Sequence, residues 1–304
     1  MAASPSTATE RVGSRAGDRA AVDAALLALC DRALGDLPQE TSQAVRYSLL
    51  GEGKRLRPLL VLAAYRASGG AADCTLLAAA VEVVHAYSLV HDDLPCMDDD
   101  AVRRGRPTTH VVYGAAVATL AGVAMVPLAA RAALEGAEAL GLPRPVRRAI
   151  VLELMRASGA GGMVGGQLLD LETEGRDLTI GELERIHRAK TGALIRAAVR
   201  IGGMAASLDD PGMEALTRYG EAVGLAFQIA DDVLDATATT ETLGKTAGRD
   251  AERGKRTYPA LLGVDGARAR AGALAEEACA ALAASRVRAN ELSDLARYVV
   301  ARPS

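Results

Sequence analysis

VEVVHAYSLVHDDLPCMDDDAVRRG, residues 81–105, is the stretch from which the rest of the chain can be read. Leu77, Val81, Val84, His85, Ser88 and Asp92 recur at helical spacing, so the face of one helix runs up into carboxylates. Asp92, Asp93, Asp98, Asp99 and Asp100 then crowd into nine residues and repel one another if all are ionised. A divalent cation removes that conflict. Hard oxygen ligands at a helix end suit Mg²⁺, which keeps several waters and bridges to phosphate oxygens. On an unbroken helix Asp98 would stand about 240° around from Asp92, at about 100° per residue. Pro95 is expected to end or distort the helix there and let Asp98 return to the same metals.

A second acidic run, FQIADDVLD (227–235), repeats the theme. Phe227, Asp231 and Asp235 fall at i, i+4 and i+8 and share one helix face, with Asp232 beside them. Alone, either run could be a solvated acidic edge. Two of them, each on an otherwise apolar helix, point to a shared cation site.

Basic groups surround these runs. Gly53-Lys54-Arg55-Leu56-Arg57-Pro58 opens an apolar helix, Arg103-Arg104 follows the first acidic run, and Lys245 and Lys255 each follow a glycine. Leu183, Ile186, Lys190, Leu194 and Ala197 read as another helical stripe, and an ammonium in an apolar stripe implies an anion inside the bundle. Arginine forks hold phosphate oxygens bidentately and lysines act as point charges. Acidic pairs interleaved with such groups point to two diphosphates, one held through metal and one directly. No GxxxxGK[ST] loop is present, so nucleotide hydrolysis is not indicated.

The composition fits an all-α chain. Half of the 304 residues are apolar, 3% are aromatic, and no Trp is present. Ala, Leu, Arg and Glu are good helix formers. The expectation is one domain over residues 19–304, with ten or more helices around a central cavity, preceded by a disordered lead-in over residues 1–18. A net charge of −3 argues against nucleic acid or an anionic membrane as partner. Cys30, Cys74, Cys96 and Cys279 form no CxxC and read as reduced thiols of a cytoplasmic protein. Residues 111–130 carry no charge and are long enough to span a bilayer, but their Ala content, with Gly114, Gly122 and Pro127, favours a buried helix of a soluble core.

The motifs GKRLRP (53–58), VEVVHAYSLVHDDLPCMDDDAVRRGRPTTH (81–110), GGQLLDLETEG (165–175), RIHRAKTGALIRAAVR (185–200), GLAFQIADDVLD (224–235), LGKTAGRD (243–250) and GKRTYPALLG (254–263) occur in this order. Through them the chain, from about Leu26 to Val299, resembles the bacterial farnesyl diphosphate synthases of the polyprenyl synthase family. The resemblance implies an all-α prenyltransferase, usually a homodimer, that joins isopentenyl diphosphate to dimethylallyl or geranyl diphosphate. It implies that Asp92, Asp98 and Asp231 ligate a set of three Mg²⁺, with Asp93, Asp232 and Asp235 supporting them through water. Arg103, Lys190, Lys245 and Lys255 would hold the allylic diphosphate. Gly53, Lys54, Arg57, His85 and Arg104 would hold isopentenyl diphosphate. The Lys190 carbonyl, Thr191 and Gln228 would face the developing cation, with Phe227 against the substrate.

The family's chain-length positions map to Tyr87 and Ser88, roughly 6–7.5 Å below Asp92 along a helix. Tyr87 reads as a plug favouring a C15 product, the alternative being that it merely packs. The chain departs from the family at Ala115 and Val123, where acidic residues are usual. Three other readings stay open. A geranylgeranyl diphosphate synthase is the same chemistry one unit longer. A class I terpene cyclase would need (N/D)DxxSxxxE where Asp231-Asp232-Val233-Leu234-Asp235 stands. A non-catalytic partner subunit would typically lack one acidic run.

Overall fold

Helical periodicity becomes helix nearly throughout the computed structural model, which describes residues 8–237, 256–283 and 285–301. The order is α1 (Ala8–Ala33), α2 (Gln39–Leu49), α3 (Leu56–Ala67), α4 (Thr75–Asp92), a hairpin of β1 (Val102–Arg103) and β2 (Arg106–Pro107), α5 (Thr109–Tyr113), α6 (Ala115–Ala139), α7 (Arg144–Ser158), α8 (Met163–Glu172) and α9 (Ile180–His187). A π-helical turn (Arg188–Gly192) leads into α10 (Ala193–Ala205), then α11 (Asp210–Thr237), α12 (Tyr258–Ala283) and α13 (Asn290–Ala301). The all-α expectation holds. α1 runs from Ala8, and Asp18 closes an ion pair with Arg66 of α3 at 2.7 Å.

α3, α4 and α10 form the centre. Nearly every residue of α3 is buried, as is α4 from Leu77 to Val84. A helix apolar on all sides belongs inside a bundle. α6 packs lengthwise on α4, with Ala118, Ala121, Met125, Ala129 and Ala132 facing inward. Gly122 suits that approach, because a Cβ would stand 2.1 Å from Nε2 of His91 and displace its ring. α6 is long and apolar enough to cross a membrane by length and composition. In this fold it is a core helix along one edge only; Leu120 and Val123 on its other edge are exposed. A second cluster, from Leu225, Ile229 and Val233 of α11 to Tyr258, Ala267 and Leu274 of α12, holds the C-terminal part against the bundle.

Candidate active site

The first acidic wall forms where α4 stops at Asp92. The chain turns through Leu94-Pro95-Cys96, and the Asp98 N–H donates to the Asp92 carbonyl at 2.8 Å. That hydrogen bond brings the Asp98 backbone back beside the end of α4. Burial pushes the Asp92 carboxyl up to about 6; Lys190 opposes the shift, and the nearby Asp98 and Asp93 carboxylates add to it. Asp93 is buried and accepts from Nε of Arg103 at 2.7 and 3.0 Å, while Arg103 also reaches Asp100 at 3.4 Å. Asp93 therefore fixes Arg103 beside the mouth.

The second wall is α11. Asp232 is turned into the protein: it accepts from Nε2 of Gln228 at 3.0 Å and from the Tyr258 N–H at 3.1 Å, and pairs with Nε2 of His187 at 3.3 Å. Its oxygens tie α9, α11 and α12 together. Asp231 lines the central cavity with Phe227, and Asp235 is buried one turn further on.

That cavity, about 650 Å³, is where the basic groups converge: Lys54, Arg57, His85 and Arg104 stand opposite Phe227 and Asp231. The Arg57 guanidinium lies 5.7 Å from the centre of the Phe227 ring. Burial, and then Arg57, Arg104, Arg103 and Arg55, hold the His85 imidazole well below its ordinary range, so it is neutral. Gly53 joins the same wall.

Lys190 sits in the π turn. Its expected anion is Asp170 of α8, whose Oδ2 accepts from Nζ at 2.5 Å. The extra width of the turn also directs Thr191 Oγ1 to Oε1 of Gln228 at 2.7 Å. π turns interrupt α-helices most often at functional sites. Gly166 and Gly224 permit this geometry, since a Cβ would meet the Lys190 backbone at 2.2 Å or the Gly192 Cα at 2.7 Å.

Tyr87 is half-buried one turn before His91 and meets its ring edge-on at 5.0 Å; His91 Nε2 in turn reaches the Thr119 carbonyl of α6 at 3.1 Å. Ser88 hydroxyl donates to the His85 carbonyl at 2.9 Å. Lys245 and Lys255 lie outside the described residues. Ala115 and Val123, the departures on α6, are exposed.

Three side chains of this site escaped sequence reasoning. Asp170 lies in a quoted motif, but nothing local pairs it with Lys190. Glu82 left a signal, a lone carboxylate in an apolar helix. Arg55 sits among basic neighbours in sequence, yet it is buried. Arg55, Asp99 and Arg104 all carry positive φ (49, 47 and 54°), a strain that concentrates at working sites.

Among the described residues no three acidic, His or Cys side chains gather into a ready-made metal cage. The carboxylates at the end of α4, with Asp92 raised, and Asp231 on the cavity wall suit cations that bring other ligands, waters or phosphate, with them.

The profile of the polyprenyl synthetase family matches residues 38–292. The chain is 47% identical over 281 residues to a farnesyl diphosphate synthase of Escherichia coli K12, covering 89% of this chain and 93% of that one. Among solved structures it is similar to a geranylgeranyl pyrophosphate synthetase from Pyrococcus horikoshii (TM-score 0.84, 30% identity, 97% and 99% of the two chains). It is also similar to a geranyltransferase from Helicobacter pylori complexed with magnesium and isoprenyl diphosphate (TM-score 0.81, 29% identity, 98% of each).

Proposed function

The chain belongs to the polyprenyl synthetase family, and from that membership we propose that it makes farnesyl diphosphate with magnesium as its metal. It is a prenyltransferase that joins isopentenyl diphosphate to an allylic diphosphate. The observation that carries the finer reading is the single cavity in which Lys54, Arg57, His85 and Arg104 face Phe227 and Asp231.

Asp92 and Asp98 on one wall and Asp231 on the other would hold Mg²⁺, with three ions expected by family likeness; when bound, it supplies positive charge to the departing diphosphate. Arg103 and Lys190, with Lys245 and Lys255, hold the allylic diphosphate. Gly53, Lys54, Arg57, His85 and Arg104 hold isopentenyl diphosphate. Asp93 orients Arg103, and Asp232 orients Gln228. As the allylic C–O bond breaks, the Thr191 hydroxyl, the Gln228 amide and the Lys190 carbonyl present preorganised dipoles to the cation. The isopentenyl double bond attacks, a proton leaves the adjacent carbon, and the released diphosphate can accept it. The Ala-rich bundle keeps water from the cation. Tyr87 and Ser88 limit the tail to C15. We further propose a cytoplasmic homodimer with residues 19–304 as its catalytic domain, and no nucleic-acid partner.

The test is incubation of purified protein with Mg²⁺, isopentenyl diphosphate and either dimethylallyl or geranyl diphosphate, with products read by mass spectrometry. C15 is expected. No product with either primer refutes the activity. A dominant C20 product would instead assign geranylgeranyl diphosphate synthesis, the reading to which the Pyrococcus likeness adds weight.

A further inference from the structure

We infer that Arg55 and Glu82 are positioning residues for the isopentenyl diphosphate half of the site, an inference that rests on the reading of Lys54 and Arg57 as diphosphate ligands. Arg55 stands between them in sequence; Lys54 is exposed, whereas only 4% of the Arg55 side chain is accessible. All three of its guanidinium nitrogens are engaged. Nε donates to Asp23 of α1 at 2.7 Å, and Nη1 to Glu82 of α4 at 2.9 Å. Nη2 donates to the carbonyls of Leu49 at 3.1 Å and Gly51 at 2.7 Å, at the end of α2. One side chain therefore joins α1, α2 and α4 at the start of α3.

The backbone shows why this matters for the loop. Arg55 caps α3 in the left-handed region (φ 49°, ψ 33°), a conformation that an L-residue keeps only when its surroundings enforce it. The loop before it, Gly51-Glu52-Gly53, would otherwise be free to sample many conformations. It is gripped twice: Arg55 binds the Gly51 carbonyl, and Nη1 of Arg104 binds the Glu52 carbonyl at 2.7 Å. Both guanidinia close on Gly53 itself. A Cβ there would lie 2.7 Å from Nη1 of Arg104 and 3.1 Å from Nη1 of Arg55. The direction of Lys54, one residue before Arg55, and of Arg57, two after it, follows from this clamp.

Glu82 completes it. It lies three residues before His85 on α4, on the face that lines the cavity with Arg57 and Arg104. Its side chain is 3% exposed, and a buried carboxylate is costly unless paired. Oε1 is paired to Arg55, while Oε2 has no hydrogen-bond partner among the described residues. This carboxylate sets negative charge among Arg55, Arg57 and Arg104, which would otherwise splay apart. Lysine in place of Arg55 keeps the charge but not the three-nitrogen fork.

Glu82→Gln and Arg55→Lys test the inference. Each is expected to raise KM for isopentenyl diphosphate about tenfold, as loss of one charge-assisted hydrogen bond in the clamp predicts. KM for geranyl diphosphate and kcat should stay within about twofold, because none of the clamp's hydrogen bonds reaches Asp92, Asp98, Arg103 or Lys190. Calorimetric titration of isopentenyl diphosphate should weaken by the same factor as its KM. A general loss of structure would instead raise both KM values together, and that result, or an unchanged KM for isopentenyl diphosphate in folded protein, overturns the inference. If those variants do not fold, Asp23→Asn decides: its carboxylate is half-exposed, and a selective rise in KM for isopentenyl diphosphate is expected, an unchanged value overturning the clamp. If wild-type protein makes no product, the proposed activity fails by itself, and the titration still reads the clamp.

Discussion

His85 shows how one residue's surroundings set its chemistry. An isolated imidazole titrates near 6.5, but here burial and four arginines keep it neutral in the folded state. Below about pH 6.5 the unfolded chain takes up a proton that the folded site refuses, so acidification favours unfolding. His85→Gln removes this difference. Its unfolding midpoint should fall less steeply than that of wild type as pH drops from about 7 to about 5; parallel curves would remove His85 as a source of acid lability. Asp92 acts with the opposite sign. Its carboxyl is raised to about 6, so the metal-free fold gains protons before the unfolded chain does and is favoured as pH falls from about 6 towards 3.8. Cation binding at Asp92 should weaken over that same window. The sequence identified both residues as candidates. Neither shift was legible, because each depends on groups from other helices.

At the scale of elements, α4 does two jobs. Its end places Asp92, and one turn earlier it places Tyr87. Ring contact with His91, itself braced on the Thr119 carbonyl of α6, makes Tyr87 a well-supported wall rather than a loose side chain. Tyr87→Ala should open the space below Asp92 and shift the product from C15 to longer chains, read by mass spectrometry. An unchanged C15 product would leave Tyr87 as packing only. The break after Asp92 was legible from Pro95 and from the angular mismatch of Asp98. The π turn at Arg188–Gly192 was not. Leu183, Ile186, Lys190, Leu194 and Ala197 fit an unbroken α-helix by spacing, and a single wide turn leaves almost no mark on such a pattern. Yet that turn sends Lys190 to Asp170 and Thr191 to Gln228.

For the whole molecule, the open question is what covers the outer edge of α5 and α6. Val111, Val112, Leu120 and Val123 are exposed on these two helices, the kind of apolar surface an interface would cover. In the homodimer proposed above it would be covered by a second copy. Light scattering should then give a dimer for wild type and a monomer for Leu120→Glu; a monomeric wild type would refute the assembly. Val123, one of the two departures on α6, is among these exposed residues. Fold class was legible in the sequence alone, and so were the acidic and basic runs as candidates, because helical period, cluster spacing and charge are local properties of a chain. Tertiary structure decided which carboxylates face the mouth. Asp232 turns inward to His187 and Tyr258, Asp93 is committed to Arg103, and Arg55 becomes a buried clamp with Glu82 and Asp23. Each of those outcomes depends on a partner from a different helix or loop, and buried charge settles where its partner is, which spacing along one helix does not encode.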